Sequence, residues 1–91
     1  MSIITFDTTG FPAEYTIHYA TNSDINSVKT DAINLGNTVA KLVAGIANDE
    51  ENMPKIEIHG NKDQGNEFAD DIRVNLALTY GLKDIEIEVI G

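Results

Sequence analysis

Alternating apolar and polar residues mark four short segments of this chain as β-strands. The turn residues Gly10 and Pro12 separate the first two segments, which predicts a hairpin with a rather long loop. In the third segment Ile56 and Ile58 point inward and the residues between them point outward, as expected for a strand with one buried face. The four predicted strands are residues 3–8, 15–20, 55–59 and 84–90.

A spacing of three and four between apolar residues predicts an amphipathic helix from about residue 25 to Asn48. Polar residues 21–24 supply candidates for its N-cap. The same spacing fits a coiled-coil seam, but Gly36 and Gly45 each cost about 1 kcal/mol relative to Ala in a helix, so a core-facing helix is favoured. The apolar positions are Ile25, Val28, Ala32, Leu35, Val39, Leu42 and Ile46.

A second helix is predicted from Glu67 to Tyr80, ending at Gly81 and capped near Asn66. The polar segment 60–66 before it is interpreted as a loop. One apolar side of this helix consists of Phe68, Ile72, Leu76 and Tyr80, and a different side carries Val74 and Leu78. A helix that is apolar on two sides either lies between neighbours or shares a face with another chain, so Val74 and Leu78 are the predicted dimer contacts.

The element order β-β-α-β-α-β predicts a single α+β domain over residues 1–91. Right-handed crossovers place both helices on one face of the sheet, and the alternation in the last two strands indicates that only one face is covered. We therefore expect a two-layer α/β sandwich with a mixed four-stranded sheet and two helices on one side.

The net charge of the chain limits the kinds of molecule that it is expected to bind. Fifteen Asp and Glu residues stand against six Lys and Arg, a net charge of −9. Such a chain is repelled by nucleic acids and by anionic membranes, so neither is an expected partner, and a basic protein is the favoured one. The predicted partner-binding residues are the loop acids Asp49, Glu50 and Glu51, the helix acids Asp70 and Asp71, and the outward strand acids Glu57, Glu86 and Glu88.

The sequence predicts no catalytic residues, no metal site and no cofactor. It has no cysteine and only two histidines, and the segment from Gly60 to Gly65 is followed by Asn66 and Glu67 where a phosphate-binding loop needs Lys and Ser or Thr. A cytoplasmic location is expected, since the first residues do not form a secretion signal and no apolar run reaches the ~18 residues of a membrane-spanning helix.

Residues 19–25 and 56–65 resemble a strand and helix entry, and a strand and loop, of the peptidoglycan-binding domain named after outer membrane protein A. The resemblance implies that Asp63 and Arg73 would hold a peptidoglycan peptide. The chain departs from the family in its order of His59 and Gly60, and the family's leucine-serine-x-x-arginine signature is absent.

The leading interpretation is a small, acidic, non-enzymatic binding or inhibitor module that engages a basic protein. A narrower form imitates nucleic acid, in the manner of the anti-restriction and anti-CRISPR proteins of phages and mobile elements. Two alternatives stay open, namely the peptidoglycan-binding domain and a homodimeric structural subunit.

Overall fold

The structure, a computed structural model, describes residues 3–8, 14–21, 24–46 and 54–91. It confirms the α+β class, with five strands and two helices in the order β-β-β-α-β-α-β, one strand more than predicted. The elements are β1 Ile3–Asp7, β2 Tyr15–Thr21, β3 Asp24–Thr30, α1 Leu35–Ile46, β4 Lys55–His59, α2 Lys62–Tyr80 and β5 Glu86–Ile90.

The five strands form one mixed sheet in the order β3-β2-β1-β4-β5. Strands β1, β2 and β3 pair antiparallel, whereas β1, β4 and β5 pair parallel. The predicted hairpin of the first two strands and the predicted mixed sheet are both confirmed. Strand β1 lies at the centre, with Ile4 beside Ile56 and Phe6 beside Ile58 of β4.

Strand β3 replaces the first part of the predicted long helix, so the prediction of a helix from residue 25 is wrong. Seven residues of β3 pair with β2, and Val28 lies opposite Ile17. Asp, Asn, Ser and Thr are poor helix formers, and the pairing with β2 decides between the two structures. The predicted N-cap in 21–24 is wrong as well, because Thr21 ends β2 and Asp24 begins β3. The predicted helix end at Asn48 lies outside the described residues.

The chain turns from β3 into α1 around Asp31. The Asp31 carboxylate accepts hydrogen bonds from the Asn34 backbone N–H at 2.8 Å and from the Asn34 side-chain amide at 2.9 Å. The hydroxyls of Thr30 and Thr38 lie 3.1 Å apart and join the end of β3 to the first turns of the helix. These local bonds explain why α1 begins at Leu35.

Helix α2 begins five residues earlier than predicted. Its N-cap is Asn61, whose side chain accepts the Gln64 N–H at 3.0 Å, so most of the segment interpreted as a loop belongs to the helix. The predicted end at Gly81 is confirmed, and this residue has the left-handed conformation (φ 66°) that favours glycine.

The core lies between the sheet and the two helices, which confirms that both helices cover one face. Alternate strand residues are buried there, while the described outward residues of the sheet have no helix over them. In the aromatic part of the core, Phe68 of α2 meets Tyr15 edge-on at 5.4 Å and Phe6 at 6.4 Å between ring centroids. Fully or nearly fully buried side chains include Ile4, Phe6, Ile17, Leu35, Val39, Val43, Ile56, Ile58, Ile72 and Leu76.

Glycine at position 65 lets α2 approach the sheet closely. A Cβ there would lie 2.7 Å from Val89 Cγ1 and 3.3 Å from Ile58 Cγ2. Gly45 of α1 is exposed, and a Cβ there would have no neighbour within 4 Å. Gly45 and Gly65 therefore allow a comparison of the same substitution in open and in closely packed surroundings.

We expect Gly65→Ala to destabilise the fold and Gly45→Ala to stabilise it. Overpacking costs about 1–3 kcal/mol, which exceeds the gain of about 1 kcal/mol that Ala brings to a helix. At Gly45 only that gain applies. Urea denaturation of the two variants and the parent chain measures the difference. Equal changes in the free energy of unfolding would contradict the close approach of α2 to β4 and β5.

Candidate functional site

The outer side of α2 carries a continuous exposed stripe. Its members are three or four positions apart and lie on the side opposite the buried residues Gly65, Ala69, Ile72 and Leu76. We call it the α2 outer stripe; it consists of Asp63, Glu67, Asp70, Val74 and Leu78, all exposed.

The α2 outer stripe is acidic in its first half and apolar in its second. Val74 is 54% exposed and Leu78 is 83% exposed, and because they lie one helical turn apart they form a small apolar patch. Asp70 bonds the Arg73 guanidinium at 3.3 Å, but both side chains are well exposed and such a pair contributes little stability. The predicted partner-binding residue Asp70 and the predicted dimer residues Val74 and Leu78 therefore lie on one surface.

Asp71 has a different position, between the two helices. A Cβ at Gly36 would overlap the Asp71 carboxylate and would lie 3.0 Å from Asn75 Nδ2. The carboxylate thus lies beside the first turn of α1, which has no acidic residue of its own. A negative charge is favourable at this position, because the N-terminal end of a helix dipole is positive. Asp71 takes part in the packing of α1 on α2, and the small residue at 36 makes room for it.

The second candidate surface is the uncovered side of the sheet at β4 and β5. In the register of these strands Glu57 lies beside Glu88, and Lys55 lies beside Glu86. The strands that carry these predicted acids are thus neighbours in the sheet. We call this group the sheet-face cluster; it consists of Lys55, Glu57, His59, Glu86 and Glu88.

Lys55 holds the sheet-face cluster together. Its Nζ lies 2.6 Å from Glu88 Oε2 and 3.6 Å from Glu57 Oε2. The hydrogen bond to Glu88 raises the pKa of Lys55, and the charges of Glu88, Glu86 and Glu57 raise it further, while partial loss of hydration opposes them. His59 Nε2 lies 3.3 Å from Glu57 Oε1. Glu57 and Glu88 therefore already have partners within the chain, whereas Glu86 contributes only its charge.

The two histidines are held apart by the sheet. His18 Nδ1 lies 2.9 Å from the Ser27 hydroxyl, and Thr5 of β1 separates His18 from Glu57. Across the part of the chain that the structure describes, no three His, Asp or Glu side chains are placed to hold a metal ion.

The predicted partner-binding acids thus fall on different parts of the molecule. Glu57, Glu86 and Glu88 belong to the sheet-face cluster, whereas Asp70 and Asp71 lie in the helical layer on the opposite side. Asp49, Glu50 and Glu51 lie outside the described residues. Asp63 and Glu67 are not among the predicted partner-binding acids. Asp63 is named only through the peptidoglycan resemblance, in a segment interpreted as a loop, and Glu67 is the first residue of the predicted helix. The regular spacing of positions 63, 67, 70, 74 and 78 is the signal that could have identified them.

Asp63 and Arg73, the pair implied by the resemblance to the peptidoglycan-binding domain, both lie on α2. Ten residues of helix separate them by about 15 Å, and Arg73 bonds Asp70. Neither a protein-family model nor a curated protein nor a solved structure matches this chain. Among its described residues, no helix is both long and apolar enough to cross a membrane.

We expect Lys55→Met to lower the melting temperature at pH 7, because three carboxylates lose their shared counter-charge. The pKa of Lys55 is raised in the folded state, so its stabilisation is complete below the ordinary value of 10.5 and is lost as the pH rises through the raised value. Thermal unfolding of both chains between pH 7 and pH 12 measures this. Lys83→Met, outside the cluster, is the control. A melting difference that persists at pH 12 would contradict the role given to the ammonium group.

Proposed function

We propose that this chain is a non-enzymatic binding module that engages a basic protein through the α2 outer stripe. The observation that carries the proposal is the stripe itself, with three exposed carboxylates followed by two exposed large apolar side chains along one side of a helix.

Electrostatics supports a basic partner. In the described residues no ion pair involves Asp63 or Glu67, and Asp70 has only the exposed contact with Arg73. These carboxylates keep most of their charge available to a partner, unlike Glu57 and Glu88, which pair with Lys55. The net charge of −9 adds long-range attraction for a cationic protein, which speeds encounter and weakens with salt.

The apolar half of the stripe indicates the shape of the partner. Val74 and Leu78 are one helical turn apart, so their side chains present a short ridge. A partner helix with leucines at one end and lysines or arginines at the other would match both halves of the stripe. Its leucines would contact Val74 and Leu78, and its basic residues would face the carboxylates. Such a contact combines an apolar anchor with charge complementarity, as protein interfaces commonly do.

Imitation of nucleic acid is the narrower form of this proposal. The basic partner would then be a nucleic-acid-binding protein of the kind targeted by inhibitors from phages and mobile elements, and DNA would compete for it. The cytoplasmic location expected from the sequence belongs to the same proposal.

The test uses a helical peptide of about 18 residues, with lysines facing the acids and leucines facing the apolar ridge. We expect saturable binding that weakens as salt rises, because charge attraction contributes. The triple variant Asp63→Asn, Glu67→Gln, Asp70→Asn should lose about tenfold or more in affinity, as three weak attractions of about 0.5 kcal/mol each are removed together. Fluorescence anisotropy of the labelled peptide measures this.

A matched control removes similar charges elsewhere. Glu57→Gln with Glu86→Gln and Glu88→Gln removes three carboxylates on the opposite side of the molecule and should leave the affinity nearly unchanged. The proposal fails if both variants weaken binding equally, because the net charge alone would then explain it. It also fails if a peptide of the same composition in scrambled order binds as tightly as the designed one.

A homodimeric subunit is the second candidate, favoured by the exposure of Val74 and Leu78 on the same stripe. The carboxylates of the stripe would repel those of a second copy, so only the apolar halves of the two stripes would be in contact. If the chain dimerises there, Val74→Asp should shift the mass measured by light scattering from two chains to one at the same concentration. An unchanged mass would exclude this interface.

A further inference from the structure

The two helices do not cover the whole face of the sheet on which they pack, and the edge strand β3 is only partly covered. Helices α1 and α2 pack against each other, and α2 lies over β4 and β5. Ile4 and Ile17 of β1 and β2 are completely buried beneath this layer, but Asn26 and Val28 of the edge strand β3 are only half-buried. A groove of about 850 Å³ therefore runs between α1 and β3.

The groove has an apolar part and a polar part. Tyr19, Leu42 and Ile46 line the end near the C-terminus of α1, and all three are partly buried against the core. Asn37 and Thr38 lie near the start of the helix, and Lys41 lies at its middle, next to Leu42. A molecule that fills the groove would thus touch apolar side chains along its body and polar groups at one end.

The charged residues described around the groove are lysines, in a chain whose net charge is −9. Among the residues that the structure describes, no acidic side chain lines the groove, and two of the chain's six cationic residues, Lys29 and Lys41, border it. The Lys29 ammonium pairs with Glu14 at 3.3 Å, whereas no ion pair among the described residues involves Lys41. Lys41 is therefore the cation available to an occupant.

We propose that this groove binds a small apolar molecule that carries one carboxylate. The volume falls within the roughly 300–1,000 Å³ of small-molecule sites, which combine apolar walls with a few polar groups that orient the ligand. The carboxylate lies at Lys41 and the neighbouring amide of Asn37, and the apolar body lies against Tyr19, Leu42 and Ile46. This site is separate from the α2 outer stripe.

Decanoate is the probe, and decanol is the uncharged control with the same chain. Titration of the ¹⁵N-labelled protein should give saturable shifts confined to the amides of residues 26–28 and 37–46, and decanoate should bind more tightly than decanol. Lys41→Gln should weaken decanoate by about threefold and leave decanol unchanged. Lys83→Gln makes the same charge change outside the groove and should alter neither.

Gly45→Leu blocks the groove without harming the fold. Gly45 lines the groove and has open space around it, so a leucine side chain would occupy the ligand's position, while the change favours helix formation. We expect decanoate affinity to fall by at least about tenfold, the loss of roughly one good apolar contact, with the melting temperature equal or higher.

Three results would overturn the proposal. The first is unchanged decanoate binding in Gly45→Leu. The second is shifts spread over the α2 outer stripe or the sheet face, which indicate nonspecific binding. The third is a mass of two chains in solution that falls to one in Gly45→Leu, which would show that a second copy covers the groove.

Discussion

The close packing of α2 on the sheet is the contact on which the rest of the structure depends. Gly65 brings the helix against Val89 and Ile58, and Phe68 inserts beside Tyr15 and Phe6. Gln64 donates a hydrogen bond to the Tyr15 hydroxyl at 3.2 Å. Burial raises the pKa of Tyr15, and this hydrogen bond partly opposes the increase. With one side of α2 fixed in this way, the opposite side must face outward, and this places acids and apolar residues on one surface.

Much of this architecture could be predicted from the chain. The alternation in 55–59 identifies β4, and the glycine at position 81 marks the end of α2. The polar outward residues of β4 and β5 indicate a sheet that is covered on one face only. Strand β3 could not be predicted in the same way. Ile25 and Val28 are three residues apart, which fits a helix, and only pairing with β2 reveals the strand. That pairing is a long-range contact, and local pattern does not determine it.

The candidate site was predictable in its residue types and less so in its arrangement. Spacing alone places Val74 and Leu78 away from the buried side of α2, and both are exposed. Asp70 lies on the same side of the helix predicted from Glu67, whereas the addition of Asp63 requires the helix to be extended back to Lys62 and the Asn61 cap to be recognised. Asp71 shows the opposite case, since its contact with Gly36 depends on how α1 packs on α2. Charge counted along the sequence could not separate the carboxylates of the α2 outer stripe from Glu57 and Glu88, which pair with Lys55.

The most direct test of the central claim maps the contact surface residue by residue. Amide shifts of the ¹⁵N-labelled chain would be followed during titration with the basic amphipathic peptide. The structure predicts that the largest changes lie on the α2 outer stripe, at Asp63, Glu67, Asp70, Val74 and Leu78, and that the sheet-face cluster is unaffected. Changes centred on Glu57, Glu86 and Glu88, with none on α2, would contradict it.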